Sequence, residues 1–241
     1  MNLRGFYKAT GVCALIYAAI SLLSYALWIS ASGFLAATST LPSPDRLLSL
    51  LQMNGNQLSA RLDGLSYFFL IPAGVGLFVY LRGRKPALAM TGAAFLAFSI
   101  VGLFQSSTMN TAMAELARGA VSDSLKDRLA AINVISFSYM MPGLWAGAIA
   151  NLLFGIALQA QADAARNIGR LFLAQVAGFL IAFGGFGVQQ DVIGNTGILV
   201  QVLAATATYV ALGMLLRRTE NEETNQERPQ AGRPRAAGAS A

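Results

Sequence analysis

The sequence predicts an all-α polytopic membrane protein, a six-helix transmembrane bundle with two outer amphipathic segments. Three observations predict this class: long stretches without charge, a charged fraction of only 12% in a chain that is 55% hydrophobic, and charges gathered between the stretches. Ordinary soluble domains carry about 25% charged residues. A soluble chain of 241 residues could not bury so many apolar faces in one core, whereas in a bilayer lipid covers them.

Six uncharged stretches predict six membrane crossings. The hydrocarbon core of a bilayer is roughly 30 Å thick, so a helix needs about 20 apolar residues to cross it, and a charge at its centre costs about 3 kcal/mol. The predicted spans, with an error of about three residues at each end, are 9–31, 64–82, 87–106, 134–158, 170–189 and 194–215. They form one membrane domain, 1–216. The polar segment 217–241 has no hydrophobic stripe, so we expect a disordered cytoplasmic tail.

The first span is interpreted as a retained helix. Residues 1–33 also resemble a cleaved signal peptide, because Arg4 and Lys8 give a positive start and small residues follow the apolar run. Signal-peptide cores run about 7–15 apolar residues. The stretch here is longer, which favours retention.

The distribution of Lys and Arg predicts that both termini lie in the cytoplasm. Alternating crossings divide the 17 basic residues into twelve on one side and five on the other, and the positive-inside rule places the richer side in the cytoplasm. The twelve are Arg4, Lys8, Arg82, Arg84, Lys85, Arg166, Arg170, Arg217, Arg218, Arg228, Arg233 and Arg235; the five are Arg46, Arg61, Arg118, Lys126 and Arg128. The net charge of +6 therefore indicates membrane lipids, and no nucleic acid, as partners. A membrane-protein partner or a homo-oligomer is a further alternative.

Two segments on the outer side are interpreted as amphipathic. In the first, Ser43, Pro44 and Asp45 combine an N-cap hydroxyl, a first-turn proline and an acid near the positive end of the helix dipole, and leucines follow. In the second, 112–131, apolar residues recur at steps of three and four. We expect both to lie on the outer surface or to cap the bundle. A lid over a cavity is the alternative.

Small residues at four-residue steps predict close helix packing. Gly143, Gly147 and Gly155 in the fourth span follow this repeat together with Asn151, and Gly178 belongs to a similar series in the fifth span. In lipid, helices associate through backbone contact at small residues and through occasional side-chain hydrogen bonds. We interpret these glycines as a packing seam between the two spans. The alternative is a narrow cavity in which Asn151 offers its amide to a ligand.

Four polar side chains are the candidates for ligand binding: Tyr67, Tyr139, Asn151 and Gln175. They would line a cavity between the second, fourth and fifth spans, as polar groups do in many transporters. The other interpretation is that the tyrosines are interfacial aromatics at the membrane edge.

The reactive side chains do not indicate an enzyme. Histidine is absent, Cys13 is the single cysteine, and no charged residue lies in the middle of a predicted span. The sequence has no catalytic motif, metal-ligand set or phosphate-binding loop, so we predict no catalytic residue, no metal and no cofactor. Asp63 and Asp191 are expected to be solvated near the outer surface, and they are the pair on which an enzyme at this rim would depend.

Two functional hypotheses follow from this composition. The first is a non-enzymatic integral membrane protein that acts as an accessory, scaffolding or lipid-associated component. The alternative is a transporter or exporter of a small neutral or lipophilic solute. A close-packed seam between the fourth and fifth spans favours the first hypothesis, and a ligand-sized void reaching Asn151 favours the second.

Several local features also suggest a family. A short basic start, Tyr17 in the first span, an outer segment ending in Leu62-Asp63-Gly64-Leu65, the stretch 77–81 and a basic turn lie in sequence over most of 6–216. In these features the chain resembles an uncharacterised family of six-span bacterial inner-membrane proteins, the domain-of-unknown-function 4386 type. The resemblance implies a bacterial inner (plasma) membrane location and supplies no catalytic residues.

Overall fold

The computed structural model describes residues 3–34, 37, 41–119, 121–161 and 163–226. These residues form seven helices and contain no strand. The helices are α1 (Leu3–Ser32), α2 (Pro44–Gln52), α3 (Asn54–Arg82), α4 (Pro86–Leu116), α5 (Asp123–Gln159), α6 (Asp163–Gly187) and α7 (Asp191–Gln226). All but α2 are long and apolar enough to cross a membrane. The predicted all-α polytopic class is therefore confirmed.

The six long helices form a closed ring. The order around it is α1, α3, α4, α5, α6 and α7, and α7 then packs against α1. Thr10 of α1 lies against Gly76 of α3, and Gly11 of α1 lies against Gly213 of α7. These contacts place the start of α1 beside the ends of α3 and α7, so neighbouring helices are antiparallel here.

Large side chains fill the middle of the ring. Leu77, Phe154, Phe172 and Leu212 come from α3, α5, α6 and α7, and each is at most 1% exposed. The rings of Phe154 and Phe172 lie 5.9 Å apart and join α5 to α6. The interior at this level is therefore packed with side chains from four helices.

The outward surface of the ring is also apolar. Five of its large hydrophobic side chains, each more than half exposed, are Phe68, Met90, Val101, Leu180 and Leu203. Water would not favour such a surface, whereas lipid tails are as apolar as these side chains. The outside of the ring is thus suited to lipid contact.

The end of the ring that carries α2 is named the outer end, and the opposite end is named the inner end. The Ser43 side chain accepts a hydrogen bond from the backbone N–H of Arg46, and Pro44 begins α2, which confirms the predicted helix start. Leu47 and Leu48 of α2 are buried in a small apolar cluster with Met113, Ala117 and Leu129. α2 therefore caps the ends of α4 and α5.

The second predicted outer segment, 112–131, takes a different form from the first. It is not a separate helix, because α4 continues to Leu116 and α5 begins at Asp123, after an N-cap at Ser122. The apolar repeat of this amphipathic segment therefore belongs to two antiparallel helix ends. A repeat of three and four residues indicates helical conformation and a buried face, but it does not show where one helix stops.

The final helix is longer than the sequence indicated. α7 continues to Gln226, so residues 217–226 of the predicted tail are helical. Arg, Glu and Gln are good helix formers, and extending an existing helix avoids the cost of nucleation. The rest of that prediction, residues 227–241, lies outside the described residues.

Candidate functional site

A carboxylate and a tyrosine are paired on α3. Tyr67 Oη donates a hydrogen bond to Asp63 Oδ2 at 3.2 Å, one helical turn back along the chain. Tyr67 is buried and Asp63 is half-buried. The Ser66 hydroxyl donates to the Asp63 backbone carbonyl at 2.7 Å. Because ionisable side chains within membrane helices are costly, this pair marks a candidate functional site.

Asp63 is less exposed than the sequence suggested. We expected a solvated group, but α3 begins at Asn54, nine residues earlier, so Asp63 lies within the helix instead of at its end. Arg61 lies about 200° away around the helix and pairs with Glu115 of α4. Within the described part of the chain, no basic side chain forms an ion pair with Asp63.

Two more tyrosines reach this region from α1 and α7. The rings of Tyr17 and Tyr209 meet edge to face with centroids 4.6 Å apart. α1 packs against both α3 and α7, and Tyr17 packs against the hydrophobic core that contains Tyr67 and Tyr209. We name Tyr17, Asp63, Tyr67 and Tyr209 the acid–tyrosine cluster.

A second polar group links α5, α6 and α7. Asn151 Nδ2 donates to Gln175 Oε1 at 3.2 Å, and Gln175 Nε2 donates to Thr208 Oγ1 at 2.8 Å. Thr208 in turn donates to the backbone carbonyl of Ala204 at 2.6 Å. Gln175 and Thr208 are buried, and Asn151 is half-buried. We name Asn151, Gln175 and Thr208 the amide chain.

The four predicted binding residues do not share one location. Asn151 and Gln175 meet in the amide chain, and Tyr67 joins Asp63 on α3, whereas Tyr139 is 46% exposed on α5. Tyr139 and Asn151 are twelve residues apart, which corresponds to about 120° of rotation around a helix. They lie on one helix, but the sequence did not indicate their relative direction. Ligand binding by these residues stays a prediction.

The predicted packing glycines all lie at helix contacts, but with several different partners. A Cβ atom at Gly143 would lie 3.1 Å from the Leu103 backbone nitrogen, and one at Gly147 would lie 2.8 Å from Ser99 Oγ. Both contacts are with α4, where the sequence had suggested the fifth span as partner. At Gly143 and Gly147 the expected seam therefore joins α5 to α4 and not to α6, the fifth span.

The other two glycines contact α6 and α7. A Cβ atom at Gly155 would lie 3.1 Å from the Gly169 carbonyl of α6, and one at Gly178 would lie 2.6 Å from the Gln201 backbone nitrogen of α7. Each four-residue step advances about 40° beyond a full turn. Three such steps, from Gly143 to Gly155, rotate the contact from α4 to α6.

Three polar residues of α7 were not among the predicted site residues, namely Asn195, Thr208 and Tyr209. Asn195 is 1% exposed, and its Nδ2 donates to the carbonyls of Ala37 at 2.8 Å and Asp191 at 2.7 Å. Its Oδ1 is buried without a hydrogen-bond partner. A polar side chain inside an uncharged span is itself a signal of contact with another helix, and it could have identified all three.

The described residues contain no group of three or more His, Cys, Asp or Glu side chains that could hold a metal ion. Cys13 is a free, half-buried thiol on α1. The chemistry of the acid–tyrosine cluster, the amide chain and Asn195 is therefore that of one carboxylate, three phenols, one hydroxyl and three side-chain amides.

The fold and its polar groups define a class, a polytopic α-helical integral membrane protein. Comparison with protein-family models, with curated proteins and with solved structures finds no match. The resemblance to the six-span inner-membrane family accordingly stays a prediction.

Proposed function

We propose that this protein is a non-enzymatic, lipid-associated membrane component whose inner end binds anionic lipid headgroups. One observation carries the proposal. The basic side chains at the inner end are exposed and have no acidic partner among the described residues, whereas several at the outer end form ion pairs with acids. A scaffolding or accessory role, with a membrane-protein partner or a second copy of the chain, is compatible with this arrangement.

The inner end carries a cluster of basic side chains. Its exposed side chains are Lys8, Arg82, Arg84, Lys85, Arg166, Arg170, Arg217 and Arg218. Among the side chains that the structure describes, no acid forms an ion pair with any of them. Arg84 lies over the Tyr80 ring at 4.3 Å from its centroid, which leaves its N–H groups free for phosphate oxygens.

At the outer end, basic side chains form ion pairs with acids. Arg61 and Arg118 both pair with Glu115, the latter at 3.0 Å, and Lys126 pairs with Asp45 at 2.7 Å. Three of the five outer basic side chains therefore have an acidic partner. Attraction for anionic lipid is therefore concentrated at the inner end.

The direction of insertion follows from the same asymmetry. We propose that the inner end and both termini face the cytoplasm of a bacterium and that the protein lies in its inner (plasma) membrane. The cytoplasmic leaflet carries anionic lipids, and each basic side chain near it contributes about 1 kcal/mol of attraction. The family resemblance supports the same location.

The polar groups inside the ring support a structural role. Ser24 and Ser59 bond α1 to α3 at 3.0 Å, and Ser106 and Ser136 bond α4 to α5 at 2.9 Å. The amide chain does the same for α5, α6 and α7. Most of the interior polar side chains described here are thus engaged with neighbouring helices, as expected for groups that hold a bundle together.

The test uses Arg166→Gln with Arg170→Gln, which leaves the basic turn at 82–85 intact. Native mass spectrometry of the full chain, reconstituted with phosphatidylglycerol and phosphatidylcholine, should show fewer retained phosphatidylglycerol molecules than for the wild type. The matched control is Arg46→Gln with Arg128→Gln, two exposed outer residues without an acidic partner, and it should retain the wild-type number. Equal retention by both variants would contradict the proposal.

A second candidate function, transport or export of a small solute, is favoured by one specific observation. The acid–tyrosine cluster places an unpaired carboxylate and three aromatic rings among α1, α3 and α7, where a purely structural bundle needs none of them. Counterflow in proteoliposomes tests this function, because a carrier exchanges labelled solute across the membrane whereas a scaffold does not.

A further inference from the structure

We propose that the acid–tyrosine cluster binds a monovalent organic ammonium cation with an apolar body. The proposal goes beyond the lipid-associated role, and for the second candidate function it replaces the neutral solute by a lipophilic cation. Binding does not require transport, so the two can be tested separately.

The charge of the Asp63 carboxylate decides the charge of the ligand. Asp63 is half-buried, its described hydrogen bond comes from Tyr67, and no described basic side chain pairs with it. The nearby basic group, Arg61, points to Glu115 on α4. By contrast Asp127, which also has no described basic partner, is exposed to solvent. A carboxylate that is partly removed from water and has no internal counter-charge favours a cation from outside the chain.

The cluster also offers three aromatic rings to a ligand. Tyr17 and Tyr209 form a perpendicular ring pair, and Tyr67 adds a third ring that is fixed by its bond to Asp63. The faces of aromatic rings attract cations, and rings grouped around a site are a common means of recognising quaternary ammonium groups. The same rings provide an apolar surface for the rest of the ligand.

The chemistry of the cluster does not suit divalent metal ions, anions or neutral solutes. Calcium takes six to eight oxygen ligands and magnesium demands six in octahedral geometry, whereas the cluster offers one carboxylate and phenol oxygens. An anion would be repelled by Asp63, and a neutral solute would leave the carboxylate without compensation. An organic ammonium ion satisfies both the charge and the rings.

The site also has a defined position in the ring. Phe172 lies 6.2 Å from the Tyr209 ring, so the apolar core described above adjoins the cluster on the α6 side. Asp63 lies toward the outer end, since α3 begins nine residues before it at that end. We therefore expect the ammonium group beside Asp63 and the apolar body toward Tyr209.

The experiment measures binding of radiolabelled benzyltrimethylammonium to the full chain in nanodiscs made of uncharged lipid. We expect saturable binding that neopentylbenzene, the uncharged isostere, does not displace. Asp63→Asn should weaken binding about tenfold or more, because it removes the charge and keeps the shape. Asp127→Asn is the matched control and should leave binding unchanged.

The aromatic contribution has its own test. Tyr17→Phe keeps the ring and should bind like the wild type, whereas Tyr17→Leu should bind more weakly. Absence of saturable binding to the wild type, equal displacement by neopentylbenzene, or an unchanged affinity in Asp63→Asn each overturns the proposal. The isostere comparison uses the wild-type chain, so it decides the matter even where a variant does not fold.

Counterflow measurements separate the site from the transport function. Binding that depends on Asp63, without counterflow of labelled cation, would retain the site and refute transport. Loss of phosphatidylglycerol in the Arg166 and Arg170 variant is independent of both results.

Discussion

Replacing Gln175 by leucine tests the amide chain directly. The change removes two hydrogen bonds between helices, one from Asn151 and one to Thr208, and keeps a side chain of similar volume. In a membrane protein each such bond contributes about 0.6 kcal/mol on average and at most about 1.7 kcal/mol. Thr208 keeps its bond to Ala204, so its hydroxyl is not left without a partner. We therefore expect a loss of about 1 kcal/mol and an upper limit of about 3 kcal/mol.

The assay is reversible unfolding in mixed micelles, with a double-mutant cycle. Asn151→Leu removes one of the two bonds, so it should cost about half as much as Gln175→Leu. The double variant should cost no more than Gln175→Leu alone, because the two residues share a bond. Gln105→Leu is the control, since Gln105 is exposed. A loss in Gln175→Leu no larger than in this control, or strict additivity, would refute the reasoning.

Three further predictions concern packing, an amide and topology. Gly178→Ala should lower the free energy of unfolding by about 1–3 kcal/mol, because its Cβ would lie 2.6 Å from backbone of α7, whereas Gly184→Ala on the same helix meets nothing within 4 Å and should be neutral. Asn195→Asp should destabilise more than Asn195→Ala in unfolding assays, because a carboxylate would face the two carbonyls that the amide now satisfies. In a background without the native cysteine, a thiol at Gly83→Cys should react with a membrane-impermeant reagent only after the cells are opened, and one at Ser124→Cys should react in intact cells; the reverse pattern would overturn the orientation.

The membrane class could be predicted because it depends on a simple physical quantity. Uncharged runs long enough to cross hydrocarbon are visible in the sequence without any knowledge of contacts. Local capping was visible for the same reason, since the Ser43 side chain bonds a backbone group only three residues away. Signals of this kind depend on neighbours in the chain and survive folding unchanged.

Partner choice could not be predicted, because it depends on direction around each helix. Gly143 and Gly155 share a four-residue repeat, yet the first contacts α4 and the second contacts α6. A small drift at each step becomes a change of neighbour after three steps, and only the packed ring fixes where each face points. Tyr139 is 46% exposed for the same reason, because the order of residues along α5 does not fix the direction of each side chain.

Asp63 shows a different limit. Its position beside Gly64 at the edge of an uncharged run suggested an end of a helix in water. The structure extends α3 by ten residues beyond the predicted span start, to Asn54, where Gln57 bonds to Leu51 at 2.9 Å and Arg118 at 3.0 Å. No local pattern indicates the contact with Arg118, which lies 61 residues away and holds the turn of α3 that precedes Asp63.

Closure of the ring by α1 and α7 has a consequence for biosynthesis. The ribosome delivers α1 first and α7 last, so Gly11 waits for Gly213 while four other crossings are inserted. During that interval Gly11 of α1 and Gly178 of α6 lack the α7 surface that each of them contacts in the ring. Nascent chains that end before α7 therefore leave these surfaces uncovered. We expect such chains to need an insertion chaperone more than the complete ring does, and to be degraded more readily by quality-control proteases.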